Sequence, residues 1–101
     1  MAVGMLMQMP DGTIELYERV MDALEWDTST PPEGLISHCA GVGPGGLTVY
    51  DVWDSADHFL RFAEDRLKPA LAQAAGGEAP DVQPQFIPLH YQFTATAGAV
   101  V

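Results

Sequence analysis

Residues 43–46, Gly-Pro-Gly-Gly, separate two apolar segments, and this short glycine-rich break constrains the fold more than any other feature of the chain. Its flanks are Gly34-Leu35-Ile36-Ser37-His38-Cys39-Ala40-Gly41 and Leu47-Thr48-Val49-Tyr50-Asp51-Val52-Trp53. A four-residue loop between such runs closes a β-hairpin. With 43–46 as the loop, Val42 pairs with Leu47, His38 faces Asp51 and Ile36 faces Trp53. Side chains alternate between the two faces of a strand, so this register gathers an imidazole, a carboxylate and an indole on one face. A slip of one residue would separate the histidine from the acid.

The rest of the chain supplies the partners of this hairpin. Val3 to Met9 is apolar apart from Gln8 and is closed by Pro10-Asp11-Gly12, in which proline fixes φ and glycine admits φ > 0; it reads as a first strand. From Thr13 to about Trp26, Ile14, Tyr17, Val20, Met21 and Leu24 recur at helical spacing opposite Glu15, Glu18, Arg19, Asp22 and Glu25. This is an amphipathic helix with Thr13 as N-cap. Pro31-Pro32 keeps the following segment extended, as a loop. A second helix starts at Asp54 or Ser55 and buries Phe59, Phe62, Ala63, Leu67, Ala70, Leu71 and Ala74. Pro69 falls inside that pattern and removes an amide, which predicts a kink or a break. After the loop at Gly76-Gly77, the run from about Val82 to Phe93 reads as an edge strand because Pro84 and Pro88 lie within it.

Composition excludes several classes of function. Of 101 residues, 14 are acidic and only 4 are Lys or Arg, for a formal net charge of -10. That balance repels phosphate backbones and anionic lipid surfaces, so neither nucleic acid nor membrane is an expected partner. No apolar run approaches the roughly 20 residues of a spanning helix. The N-terminus lacks the charged start of a secretory signal, and a cytoplasmic protein is expected. Cys39 is the sole cysteine, which rules out an internal disulfide and any multi-cysteine metal site. No histidine spacing typical of a metal site occurs, and neither metal nor cofactor is called for.

The order strand, helix, strand, strand, helix, strand predicts an α+β, ferredoxin-like βαββαβ domain over residues 1–93, with two helices on one face of a four-stranded antiparallel sheet and a loose tail over 94–101. Both faces of the strands are apolar, whereas a sheet with one wet face alternates more cleanly. The uncovered face therefore calls for another copy of the chain, as a homodimer.

With Gly34-Leu35-Ile36-Ser37-His38, Val52-Trp53-Asp54-Ser55, Phe59-Leu60-Arg61-Phe62 and Leu67-Lys68-Pro69-Ala70-Leu71 in place, the chain resembles the dimeric α/β-barrel superfamily, in particular small actinobacterial members near the antibiotic-biosynthesis-monooxygenase group. The resemblance implies a dimeric barrel and a pocket between sheet and helices, with Trp53 at the position of a pocket tryptophan. The chain carries Val49 where those enzymes place an asparagine.

Two functions are consistent with these residues. In the first, the protein is a small cofactor-independent enzyme, monooxygenase-, isomerase- or cyclase-like, acting on a small apolar, aromatic or polyketide-like molecule. His38 is then the base and Asp51 fixes its tautomer, as a carboxylate beside an imidazole does. Trp53, Tyr50 and Met7 contact the substrate, and His90, on the final strand, reaches a site in a partner subunit. In the second, the same residues line the cavity of a non-catalytic ligand-binding or stress-associated barrel. Met5, Met7 and Met9 suit either, since thioethers adapt to irregular ligands and to cores alike.

Overall fold

The computed structural model describes residues 2–77 and 82–95. Its elements are β1 (Val3–Met9), α1 (Ile14–Leu24), β2 (Leu35–Gly43), β3 (Gly46–Trp53), α2 (Ala56–Phe62), a π-helical turn (Ala63–Leu67), α3 (Lys68–Ala75) and β4 (Gln85–Pro88). The four strands form one antiparallel sheet in the order β2-β3-β1-β4, which is the ferredoxin-like arrangement that the sequence predicts. Among the described residues, no helix is long and apolar enough to cross a membrane.

Local chemistry sets the boundaries. Thr13 caps α1 by accepting the Leu16 amide, and Glu25 ends that helix in the left-handed region at φ 54°. Ser55 caps α2 by accepting the His58 amide. Gly43 and Gly46 themselves pair, so the hairpin turns on Pro44-Gly45 alone, one step tighter than the four-residue loop while keeping the same register. Gly46 takes φ +89°, and a Cβ there would collide with the backbone of Met9 and Pro10; only glycine fits.

The hairpin register holds where it matters most: His38 pairs with Asp51 and Val42 with Leu47. It departs at the start of β2. Leu35, not Ile36, lies opposite Trp53, because a β-bulge falls between Leu35 and Ser37. The extra residue resets the alternation, so Leu35 packs against the core while Ile36 stays exposed.

Both helices pack on the sheet face that carries Met5, Met7, Val49 and Trp53, and these residues with Val20, Leu24, Phe59, Ala63, Leu67, Ala70 and Leu71 form the core. Pro69 neither breaks nor ends the second helix. The turn ahead of it widens instead: the Lys68 amide reaches back to the Ala63 carbonyl, five residues rather than four, and α3 continues to Ala75. The widened turn accommodates the missing proline amide within a continuous helical segment.

The final strand is shorter than the sequence suggests. β4 covers Gln85–Pro88 only, and Leu89 to Ala95 lacks regular structure, although the Leu89 amide still reaches the Ala2 carbonyl at 3.0 Å. Pro88 lies opposite Val3, at the intervening position of the antiparallel ladder whose amide would face the open edge, where a proline is tolerated. His90, Tyr91 and Phe93 lie beyond it, exposed. Most of the tail expected over 94–101 lies outside the described residues. On the sheet face away from the helices, alternation places Gly4, Leu6, Tyr50, Val52 and Ile87, with Ile87 about half exposed at 49%.

Candidate functional site

β2, β3 and α1 bring four side chains into one hydrogen-bonded chain. The Nδ1 of His38 lies 2.6 Å from Oδ1 of Asp51. The other carboxylate oxygen, Oδ2, accepts the indole N–H of Trp53 at 3.1 Å. At the far side of the imidazole, Nε2 lies 2.7 Å from the hydroxyl of Tyr17. A carboxylate only accepts, so Nδ1 carries the proton and donates it to Asp51. In the neutral ring Nε2 is then the acceptor, and the Tyr17 hydroxyl donates to it.

The state of Tyr17 agrees with this assignment. Burial, and after it the negative charge of Asp51, push its hydroxyl above the usual phenol range, so it remains a protonated donor at neutral pH. Two aromatic rings hold the imidazole in place. The Tyr17 ring lies nearly parallel to it, 8° between planes with centroids 6.1 Å apart. The Trp26 ring tilts over it at 5.3 Å.

Among the described residues Asp51 is the one charged side chain in the core, 5% exposed. Its environment explains how the fold tolerates it: both oxygens accept a hydrogen bond, and a buried charge with full partners avoids most of the penalty of leaving water. Trp53 is more deeply placed, with Phe59 and Phe62 packed on its ring at centroid distances of 5.5 Å. Its indole thus orients the acid and fills the core at once.

The chain of polar groups borders a cavity of about 50 Å³ between sheet and helices. Met7, Met9, Met21, Leu24, Val49 and Phe62 form much of its wall, and Tyr17, His38 and Asp51 are its polar features. The structure therefore brings together His38, Asp51, Trp53 and Met7. Tyr50 is elsewhere: it lies across Gly4, on the opposite face of the sheet, because strand alternation sends it away from its neighbour Asp51. His90 sits past β4, at the edge opposite β2, and does not border the cavity. Tyr17 and Trp26, which the sequence presents as ordinary packing residues, complete the site. The available signal was a phenol on the buried stripe of α1, where its hydroxyl needs a partner. Among the described residues, no group of three or more His, Cys, Asp and Glu side chains could hold a metal ion.

The sequence matches no family model and no curated protein. Solved structures do share its fold. A monooxygenase from the ActVA-Orf6 gene of Streptomyces coelicolor, in complex with nanaomycin D, superposes with a TM-score of 0.54 at 19% identity, covering 94% of this chain and 92% of that one. A putative antibiotic biosynthesis monooxygenase from Chloroflexus aurantiacus gives 0.55 at 16% identity over 92% and 98% of the two chains. Rv0793 from Mycobacterium tuberculosis gives 0.54 at 15% identity over 94% and 98%. The chain thus has the ferredoxin-like fold of antibiotic-biosynthesis-monooxygenase-type proteins.

Proposed function

We propose that the protein is a cofactor-independent enzyme that removes a proton from carbon next to the carbonyl of a small aromatic or polyketide-like molecule. The observation that carries this reading is the Tyr17–His38–Asp51 chain set against an apolar cavity. His38 Nε2 takes the proton and the carbon retains the electron pair as an enolate. Asp51 stabilises the imidazolium through Nδ1–H, and Tyr17, released from Nε2, donates its hydroxyl to the enolate oxygen. Isomerisation, cyclisation and oxygenation can each begin from that anion. A positioned base of this kind contributes roughly 10²- to 10⁴-fold.

The cavity is smaller than such a substrate, and the thioethers of Met7, Met9 and Met21 in its wall supply the adaptability that entry requires. The shared fold with a structure holding nanaomycin D supports an aromatic ligand. The same reading pairs two copies through the sheet face that the helices leave bare, in the cytoplasm, with His90 reaching toward the partner.

One observation favours a second reading, a non-catalytic ligand-binding barrel: among the described residues every buried side-chain nitrogen and oxygen already has a hydrogen-bond partner, as in a purely structural network. Deuterium exchange at the carbon next to the carbonyl of α-tetralone, followed by NMR in D2O, separates the two. The enzyme reading expects exchange well above buffer, lowered at least about 100-fold in His38→Gln. Exchange equal to buffer, together with quenching of tryptophan fluorescence by nanaomycin D, would establish the binding reading instead.

A further inference from the structure

Small-molecule sites enclose roughly 300–1,000 Å³, and the cavity beside His38 holds only about 50 Å³. A second depression of about 250 Å³ adjoins it, between the loop at Pro32 and Glu33 and the α2 and π-turn surface. Phe62 is a wall of both. Taken together, the two spaces reach the lower end of the usual range.

The chemistry of the outer groove differs from that of the cavity. His58, Arg61 and Arg66 line it, so two of the chain's four Lys and Arg residues meet there. In a chain with 14 acids, cations ordinarily find carboxylates, yet the ion pairs among the described residues are His38–Asp51 and Lys68–Glu64. Arg61 and Arg66 belong to neither. Arg66 is anchored by other means: Nη2 donates to the Leu24 carbonyl at 2.7 Å, and the guanidinium lies over the Phe62 ring, 5.7 Å from its centroid. Its remaining N–H groups are available to a ligand.

His58 is equally fixed. The Ser55 hydroxyl accepts the His58 amide at 3.2 Å and lies 2.8 Å from Nδ1 of its ring, which leaves Nε2 outside that contact. Gly34, at φ +89°, packs its backbone against that ring, where a Cβ would collide.

We infer that the ligand of this protein is an apolar acid, whose carboxylate sits in the outer groove against Arg61, Arg66 and His58 and whose hydrophobic body passes Phe62 into the cavity beside His38. This rests on the ligand-pocket reading above and adds the substrate class. Glu33 and Asp65 also rim the groove and oppose an anion there, so their removal should strengthen binding rather than weaken it.

The test compares 2-naphthoic acid with its methyl ester by tryptophan fluorescence titration. Wild-type protein should bind the acid at least tenfold more tightly than the ester, Arg61→Gln should lose most of that preference, and Glu33→Gln should increase it. Arg61 is exposed, and a thermal melt of Arg61→Gln checks that it folds as wild type does. Equal binding of acid and ester, no binding of either, or an unchanged preference in both variants overturns the inference. A ketone that also carries the carboxylate, 5-oxo-5,6,7,8-tetrahydronaphthalene-2-carboxylic acid, separates the two readings: failure of its exchange beside a retained acid preference overturns the enzyme reading alone.

Discussion

Replacing Asp51 with Asn keeps the shape of the side chain and reverses half of its hydrogen-bonding character. The amide has one oxygen and one NH2 group, so it cannot accept from both Trp53 Nε1–H and His38 Nδ1–H, the two donors that Asp51 serves at 3.1 and 2.6 Å. One arrangement keeps all three contacts. The Asn oxygen accepts from Trp53, its NH2 donates to a bare Nδ1, and the imidazole proton moves to Nε2, where it donates to the Tyr17 oxygen. The fold survives, and the nitrogen meant to act as base now carries a proton. Two bonds to a charged acceptor become neutral ones, and since charge assistance roughly doubles a bond's strength, each loses about 1 kcal/mol. Asp51→Asn should therefore cost about 2 kcal/mol, a fall in Tm of about 8–16 °C for a domain of this size. Asp51→Ala, which leaves two buried donors unpaired, should cost about 3–5 kcal/mol. Urea melts at one fixed protein concentration give these values. Ring ¹⁵N shifts of His38 report the tautomer, Nδ1–H in wild type and Nε2–H in Asp51→Asn, and α-tetralone exchange should fall with it. An Nδ1–H tautomer that persists in Asp51→Asn would refute the reasoning.

The other expectations concern Tyr17 and assembly. Because burial and Asp51 raise the Tyr17 hydroxyl, its contribution to stability is whole below about pH 10 and is lost as pH rises through the folded value; Tyr17→Phe should show a shallower alkaline loss of Tm than wild type, and identical slopes would contradict the placement. The bare sheet face should make the protein a homodimer by light scattering at micromolar concentration, with Ile87→Lys shifting it toward monomer; a monomeric wild type would remove the dimer.

The order of strands and helices and the His38–Asp51 pairing were legible because hydrophobic periodicity, a glycine-rich turn and strand alternation are all local. Each depends on a few consecutive residues. The bulge at Ile36 was not, since regular and bulged ladders suit the same apolar run and the choice is made by packing Leu35 against the core. Tyr17 was visible as a helix residue only. Its bond to His38 depends on how α1 rotates over the sheet, which is a property of the whole core. β4 reads longer in the sequence for a related reason: Leu89, Tyr91 and Phe93 alternate with polar residues as strand residues do, whether they pair within the chain or remain exposed. Pro69 announced a disturbance without its form, because a proline can kink, end or widen a helix at similar cost.

The widened turn ahead of Pro69 also bears on which changes of chain length this fold can absorb. Phe59, Ala63, Leu67 and Leu71 are spaced by four and all are buried, yet on a regular α-helix each step of four overshoots one turn by about 40°. Three such steps would carry Leu71 well around the helix from Phe59. A π turn advances less per residue, so one stripe can face the sheet along the whole helical segment. That is also the geometry produced by inserting one residue into an α-helix. The segment from 63 to 67 is thus where a gained or lost codon would be taken up as a change of winding, with the cavity-lining residues on either side kept toward the sheet.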